Sequence, residues 1–394
     1  IIMKGASLAD ESGPGSAPKI LGQPIQGLRR LGYDASGLVL VRKEAETRYA
    51  GVFRRHLEGV PLRYLFENFP PWVRALDFKF PGFSFFSSHH LLAYPFAPRL
   101  VGEGEYDLIV AQCQYSTFTA RALKARRGIP YLLLMWDPSP YTLEKGYTGT
   151  PLQALFPILR PLTRALDRFA FREAEALIVS GRLHHERLRK VTDRPLENLY
   201  PGCVVPDSHV PFSRREKAVL TYDRWDIGNR PEPFLDVLEA LDPSVRLIVG
   251  GFWHPARLKD EFTASLRRRG LNGRVELLGP FDEDEIIRQC SRAYLHLHLN
   301  EEAFGMQTLE AAACGTPIVI PAGSGVTDLF RDGVHGFFPP KNRLPETVER
   351  VKSLLSDPAR AEAMGQAARE EARKHDWDAH ARRLAEIIEK YRLG

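Results

Sequence analysis

The fold prediction starts from residues 300–319, which read NEEAFGMQTLEAAACGTPIV. An apolar run at 294–299 precedes them and predicts a strand that leads into a glycine-containing loop. A helix is then predicted from about Phe304 up to Gly315, which ends it because glycine accepts the left-handed conformation of a helix terminus. A second buried strand is predicted at 318–320. This alternation is typical of a parallel α/β sheet.

Two carboxylates, Glu302 and Glu310, flank the start of this predicted helix. Such a helix start attracts anions through its free N–H groups and its dipole, and Gly305 lets the backbone approach a ligand closely. Glu310 lies roughly 8–9 Å along the helix axis, at about 1.5 Å per residue. Since a carboxylate accepts from two vicinal hydroxyls, the geometry suits a sugar–diphosphate–nucleoside. The alternative is a surface helix with two solvated glutamates.

This pattern resembles the Glu-x7-Glu signature of retaining glycosyltransferases with the GT-B fold, in the large family numbered four. The resemblance implies that Glu302 contacts the donor sugar and that Glu310 holds the ribose hydroxyls. It also implies that the peptide N–H groups of Phe304, Gly305 and Met306 bind the diphosphate. The Glu-Ala-x-Ala-x-Gly-x-Pro-Ile-Val run after the loop favours this interpretation over the surface helix.

The segment that follows the predicted strand at 220–222 carries two cations, Arg224 and Arg230. The resemblance implies an Arg and a Lys near this point, both neutralising the donor diphosphate. Arg224 matches the Arg, and Arg230 replaces the Lys one residue later than the usual spacing. Fixed cations stabilise the leaving diphosphate because its negative charge grows as the glycosidic bond breaks. A solvated turn with two arginines is the alternative.

Three glycines are further donor-binding candidates from the resemblance. Gly279 follows the predicted strand that starts at Val275, where the family holds the nucleotide base mainly with backbone groups. Gly13 and Gly15 lie in the loop after the first strand, where the family has a glycine-rich loop near the donor phosphates and the acceptor. Ordinary turn glycines and a loop without a ligand are the alternatives.

A family His-Asp pair is expected at the end of one strand in the first half, where this chain has Trp136 and Asp137. An indole donates one hydrogen bond and accepts no proton, so the usual His contact is absent or supplied elsewhere. Asp137 remains a polar candidate for the sugar or the acceptor, and its alternative role is a cap before Pro138. This departure leaves the sugar and the acceptor unidentified.

Two α/β halves follow each other along the chain. The fold class is therefore α/β, and the resemblance implies GT-B: two facing Rossmann-like domains with a C-terminal helix crossing back to the first. The predicted domains are an acceptor-side one at 1–203, a nucleotide-sugar-binding one at 204–375, and the helix at 376–394. Ligands in such sheets lie at the carboxyl ends of the strands, so the cleft between the domains is the expected site. A dinucleotide oxidoreductase is disfavoured because no Gly-x-Gly-x-x-Gly follows the first strand.

The composition argues against nucleic-acid binding and metal binding and indicates a location. The 54 basic and 49 acidic residues give a formal net charge of +5, without the concentrated basic face that nucleic acid needs. The four cysteines have no metal-ligand spacing, and no metal is assigned. No apolar run spans a bilayer and no signal peptide is recognised, so a cytoplasmic location is expected.

Residues from Phe53 to Phe86 mix aromatic and basic side chains, a composition that suits a membrane interface. Core packing of an irregular lobe is the alternative. If the lobe contacts the inner face of a membrane, the acceptor is lipid-linked and the protein is peripheral.

The expected function is retaining transfer of a hexosyl-type sugar from a nucleoside-diphosphate sugar, of the UDP or GDP type, to a hydroxyl acceptor of glycan biosynthesis. No cofactor is expected. No enzyme nucleophile is evident, and the resemblance implies front-face displacement in which the departing phosphate accepts the acceptor's proton. Two alternatives remain: a nucleotide-sugar epimerase of the same fold, and a non-catalytic nucleotide-sugar-binding homologue, which Trp136 makes conceivable.

Overall fold

The computed structural model describes residues 2–4, 17–39, 56–64, 68–75, 91–92, 94–96, 101, 106–207, 210–226, 228–253 and 255–392. Gly13, Gly15 and half of the aromatic segment from Phe53 to Phe86 therefore lie outside the described residues. The chain divides into two compact units. The first comprises Ile1–Ser180, His184–Tyr200 and Trp377–Gly394, and the second Gly181–Leu183 and Pro201–Asp376.

Parallel strands form the centre of each unit. Along the chain they are β1 (Ile2–Lys4), β2 (Ser36–Val39), β3 (Leu62–Tyr64), β4 (Ile109–Gln112), β5 (Tyr131–Met135), β6 (Ala176–Val179), β7 (Leu196–Asn198), β8 (Glu216–Trp225), β9 (Arg246–Trp253), β10 (Val275–Leu277), β11 (Ala293–Leu297), β12 (Ile318–Val319) and β13 (Gly336–Phe337). Every residue of β4, β5 and β6 is buried, as expected for strands covered on both faces.

Helices connect these strands. In chain order they are α1 (Ala17–Arg30), α2 (Pro71–Arg74), α3 (Cys113–Arg127), α4 (Ser139–Tyr147), α5 (Phe156–Phe171), α6 (Arg182–Arg189), α7 (Pro233–Glu239), α8 (Arg257–Arg268), α9 (Glu283–Arg292), α10 (Met306–Ala313), α11 (Leu344–Ser356), α12 (Pro358–Ala372) and α13 (Trp377–Arg392). Although it ends the chain, α13 belongs to the first unit, where it packs against α1.

The strand order is the same in the two units. The first sheet runs β3-β2-β1-β4-β5-β6-β7 and the second β10-β9-β8-β11-β12-β13, with all pairings parallel. Counted from the first strand of each unit, both begin 3-2-1-4-5, which is the Rossmann order. The predicted α/β class with two Rossmann-like domains is confirmed. In the second unit the strand order reverses between β8 and β11, and ligands of such sheets bind outside the carboxyl ends at this point.

Several element boundaries differ from their predictions, and three of them bear on the site. Strand β8 extends past Tyr222 because it pairs with β9 as far as Trp225 opposite Trp253. Strand β11 ends at Leu297, before the predicted end. Helix α10 begins at Met306 because Gly305 adopts a φ of 98°, a left-handed conformation that breaks the helix from the loop before it.

Within the described part of the chain, no helix is long and apolar enough to cross a membrane.

Candidate functional site

The candidate site lies at the strand-order reversal of the second unit. Strands β8 and β11 are neighbours there, with Leu220 opposite His296, so their carboxyl ends reach the same edge of the sheet. Asp223 and Arg224 lie near the end of β8, and His298 directly follows β11. The loop that carries Glu302 continues from His298 into α10.

Glu310 is buried inside this site, with 6% of its surface exposed. The Tyr222 hydroxyl donates to Glu310 Oε2 at 2.8 Å and lies 3.0 Å from the carbonyl oxygen of Gln307. Burial raises the pKa of Tyr222 well above its usual value, so the hydroxyl stays protonated and acts as the donor. The bond fixes the orientation of the Glu310 carboxylate on α10.

The loop before α10 is held by the segment at 324–326. The Gly325 N–H donates to the Glu302 carbonyl at 3.1 Å, and the Val326 N–H donates to the Phe304 carbonyl at 2.7 Å. Phe304 is buried, and a Cβ on Gly325 would overlap the Ala303 carbonyl. The structure therefore brings Glu302 and Phe304 together with the start of α10, as a fixed loop.

An ion pair that the sequence did not reveal, between Asp223 and His298, lies beside Glu302. His298 Nε2 lies 2.9 Å from Asp223 Oδ2, and Nδ1 lies 2.8 Å from the Asn300 carbonyl. Both ring nitrogens thus lie near acceptor oxygens, to which an imidazolium would donate twice. Gln307 Nε2 also lies 3.1 Å from His298 Nε2. Asp223 also accepts from the Arg224 N–H at 2.7 Å and from Asn229 Nδ2 at 2.6 Å.

The pKa shifts follow from this geometry. Burial alone would raise the pKa of Asp223, but the hydrogen bond and charge of His298 hold that pKa below its usual value. Burial alone would lower the pKa of His298, but Asp223, followed by Glu302, raises it above its usual value. His296, two residues earlier, is fully buried; burial and the charge of His298 lower its pKa to about 3, so its ring is neutral.

Because His296 and His298 alternate on an apolar strand, the sequence pattern by itself favours core or sheet-face positions for both. His296 takes such a position, whereas His298 stands at the carboxyl edge because β11 ends one residue before it. The sequence did hold one signal for the pair of Asp223 and His298, namely an acid near the end of β8 and a histidine just after β11. Two such residues meet if the two strands are neighbours in the sheet.

The two predicted cations are placed differently. Arg224 follows Asp223 and pairs with Asp226 at 3.1 Å, with 42% of its side chain exposed. Arg230 pairs with Glu232 at 2.7 Å and Glu261 at 2.8 Å, and the hydrogen bond that it donates to Glu232 raises the pKa of Arg230 above its usual value. Arg224 thus lies at the site, whereas the Arg230 guanidinium is already held by two carboxylates.

Asn229 joins the site network instead, because its side-chain amide contacts both Asp223 and Asn300.

Gly279 lies at the same edge of the sheet, after β10. Its carbonyl accepts from the Gly251 N–H at 3.0 Å, and a Cβ on Gly279 would meet open space. Gly250 is more restricted, because a Cβ there would overlap the ring of Phe281. At this edge the backbone of Gly279 is therefore exposed, whereas Gly250 and Phe281 next to it are tightly packed.

Asp137 belongs to the first unit, just after β5. It accepts from Arg187 Nη1 at 2.7 Å, and His184 Nε2 lies 3.6 Å away. The Arg187 guanidinium also lies 3.9 Å from the ring centre of Tyr141. Asp137 is thus part of an ion-pair cluster of its own unit, next to the half-buried Trp136.

Chemically, the second-unit site combines a fixed buried carboxylate, a helix start and a charged pair. Asp223, His298 and Glu302 each offer one atom within 4.8 Å of the others, and Asp223 and Glu302 both raise the pKa of the His298 ring. The absence of a metal, assigned from the sequence, stays a prediction.

Two family models match the chain, one in each half. The model described as "Glycosyl transferases group 1" matches residues 210–371, and "Glycosyl transferase 4-like domain" matches residues 19–198. The candidate site lies within the first of these matches.

Curated relatives match over shorter spans. D-inositol 3-phosphate glycosyltransferase of Kribbella flavida is 39% identical over 77 residues, 20% of this chain and 18% of that protein. Its counterpart from Mycobacterium sp. (strain KMS) is 29% identical over 213 residues, 50% of this chain and 48% of that protein. The chain thus spans about half or less of the length of these relatives. An uncharacterized glycosyltransferase of Methanocaldococcus jannaschii is 24% identical, covering 76% of this chain and 79% of that one.

Solved structures share the fold at low sequence identity. Anabaena HepE in complex with UDP and glucose has a TM-score of 0.72 at 18% identity, covering 99% of both chains. S. aureus TarM in complex with fondaparinux, alpha-GlcNAc-glycerol and UDP has a TM-score of 0.76 at 11% identity, covering 98% of this chain and 99% of that one.

Proposed function

Since the chain belongs to the glycosyltransferases of group 1, we propose that it transfers a sugar, with retention, from a nucleoside-diphosphate sugar to a hydroxyl acceptor. The observation that carries the proposal is the pair Glu302 and Glu310 around the start of α10. They lie where the strand order of the second sheet reverses.

Each donor group has a chemically suited partner in this site. The Glu310 carboxylate, oriented by Tyr222, accepts from the two ribose hydroxyls. The N–H groups at Gly305 and Met306 and the dipole of α10 bind the diphosphate, and Arg224 adds positive charge as the leaving group departs. Glu302 contacts the sugar.

The reaction proposed is front-face displacement. The acceptor hydroxyl attacks the anomeric carbon on the face that the diphosphate leaves, and the departing phosphate oxygen takes the proton. The second unit then holds the donor, and the first unit, with Asp137, provides the acceptor side. The enzyme's contribution is orientation and charge stabilisation, and neither a cofactor nor a metal is required.

UDP is the proposed nucleotide, with GDP as the alternative. HepE and TarM, which share the fold, were solved with UDP. The proposed acceptor is a glycan or lipid-linked precursor at the inner face of a membrane.

Thermal shift with UDP, GDP, ADP and TDP tests the donor site. A nucleotide at one hundred times its dissociation constant should add about 2.7 kcal/mol to the free energy of unfolding. Glu310→Gln should lose most of that shift, because the amide presents one acceptor where the carboxylate presents two. Glu301→Gln is the matched control, since Glu301 pairs with Lys341 and its variant should keep the shift. Absence of a shift with every nucleotide would refute the donor site.

Product analysis separates the reaction types. Transfer requires an acceptor, whereas an epimerase converts the donor sugar alone. A non-catalytic homologue binds nucleotide but converts neither the donor nor the acceptor. Two features make this outcome conceivable: Trp136 stands at the usual His position, and Arg230 is paired with two carboxylates.

A further inference from the structure

Helix α5 of the first unit presents an apolar stripe to solvent. Ile158 is 64% exposed and Leu162 is 56% exposed, and Leu155, in the short turn before the helix, is 46% exposed. Their spacing of three and four residues places them on one face. Large apolar side chains exposed together in this way mark an interaction surface.

The opposite face of α5 holds the helix in the unit. Phe156, Thr163 and Asp167 are buried, and α5 packs against α3 and α4. The Asp167 carboxylate accepts from the Ser139 N–H at 2.9 Å and from its hydroxyl at 2.5 Å. The exposed stripe is therefore the outer side of a helix whose inner side is already used.

The charges on helix α5 itself that face solvent are positive. Arg164 and Arg168 are exposed beside it, and the half-buried Arg160 pairs with Glu144. Asp167 is the one acidic residue in the sequence from 151 to 171, and it is buried. The outer face of α5 thus combines exposed apolar side chains with the exposed positive charges of Arg164 and Arg168.

We propose that the outer face of α5, from Leu155 to Arg168, lies on an anionic lipid surface. A helix of 16 residues is about 24 Å long, and an apolar stripe flanked by arginines is the composition that inserts at a headgroup boundary. A second copy of the chain fits less well. Two-fold pairing of this face would bring the exposed Arg164 and Arg168 of one copy towards the same basic face of the other copy.

This surface does not depend on the donor chemistry proposed above. The surface is compatible with the proposed function, because a glycosyltransferase bound to a membrane is close to lipid-linked acceptors.

Flotation of the full chain with vesicles tests the surface. One set contains phosphatidylcholine alone, and the other contains phosphatidylcholine and phosphatidylglycerol in equal parts. The protein should bind the anionic set and dissociate as salt is raised. Ile158→Glu with Leu162→Glu should weaken binding more than about tenfold, because both side chains would no longer bury apolar surface in the lipid. Arg164→Gln and Arg168→Gln should each weaken binding about fivefold.

Val334→Glu is the control. Val334 is an exposed apolar residue of the second unit, and its variant should bind vesicles like the wild type. The nucleotide-induced thermal shift, measured on every variant, shows whether the fold and the donor site are intact. A wild type without that shift that still binds vesicles would refute the proposed function and support this surface.

Three outcomes would overturn the inference. In the first, the wild type does not bind anionic vesicles. In the second, the α5 variants bind these vesicles as tightly as the wild type does. In the third, the wild type is a dimer and the Ile158→Glu, Leu162→Glu variant is a monomer. The last would assign the face to a second copy.

Discussion

At the scale of single residues, the centre of the candidate site is the charged pair of Asp223 and His298. Neither lies in the Glu-x7-Glu motif, yet the pair joins the end of β8 to the loop that carries Glu302. The side chain of His298 is only 2% exposed, so little solvent screens the pair. Its charge state also bears on the donor site, because Asp223 accepts from the backbone of Arg224.

We expect His298→Gln to change how stability depends on pH. The folded-state pKa of His298 is raised, so its contribution is fully present below about pH 6.5 and is lost as pH rises through that raised pKa. The variant should lose this alkaline decline, and at about pH 6 it should be less stable by about 1–3 kcal/mol because Asp223 loses a charged partner. Urea unfolding from about pH 6 to about pH 9 measures both effects.

Asp223→Asn is the companion variant for that experiment. It should remove the same alkaline decline, and the double variant should cost less than the sum of the two single changes. A His298→Gln protein with the alkaline slope of the wild type would show that the ring is not protonated in the folded state.

At the scale of elements, the C-terminal helix α13 is part of the core of the first unit. Leu384, Ile387 and Ile388 pack in one cluster with Leu21 and Ile25 of α1. A Cβ on Gly27 would overlap that of Ala381, so the two helices approach closely. The helix at 376–394, predicted to cross back to the first domain, is thus a layer of the first unit from Trp377 onward.

Leu384→Ala should lower the free energy of unfolding by about 2–5 kcal/mol, because Leu384 is fully buried and the truncation leaves a cavity. Arg382→Ala, on the exposed side of the same helix, should change it by no more than about 0.5 kcal/mol. Chemical denaturation of the two variants makes the comparison. Equal effects would mean that α13 is not packed as described.

At the scale of the whole molecule, buried neutral histidines in both units set the response to acid. Burial lowers the pKa of His380, whose Nδ1 donates to the Tyr200 carbonyl at 2.7 Å, to about 4, and that of His296 to about 3. Both titrate near pH 6.5 when unfolded. Asp167 acts in the opposite direction, because burial raises its pKa to about 7.

Stability should therefore fall as pH drops below about 6.5, by up to about 1.4 kcal/mol per pH unit for each histidine, because the unfolded chain binds the extra protons. His380→Gln should remove the contribution of one histidine to that slope. The difference from the wild type should extend down to about pH 4, the pKa of His380 in the folded protein. Urea titrations at a series of acidic pH values test this. An unchanged slope in the variant would mean that His380 is protonated in the folded state.

Most of the fold could be predicted from local sequence patterns. The apolar run at 318–320 identified β12, and Gly315 marked the end of α10, because strand burial and helix termini depend on residues adjacent in the chain. The Glu302 and Glu310 spacing was readable for the same reason. The sequence could not supply the end of β8, since that strand is extended by pairing with β9.

The sequence by itself thus determined the two α/β halves, the loop before α10 and the position of its two carboxylates. Only the tertiary structure decided that His298 meets Asp223, 75 residues away, and that Arg230 is occupied by Glu261. The physical reason is that parallel strands are joined by crossovers, so the residues that meet at their carboxyl edge are set by strand order, which no local pattern encodes.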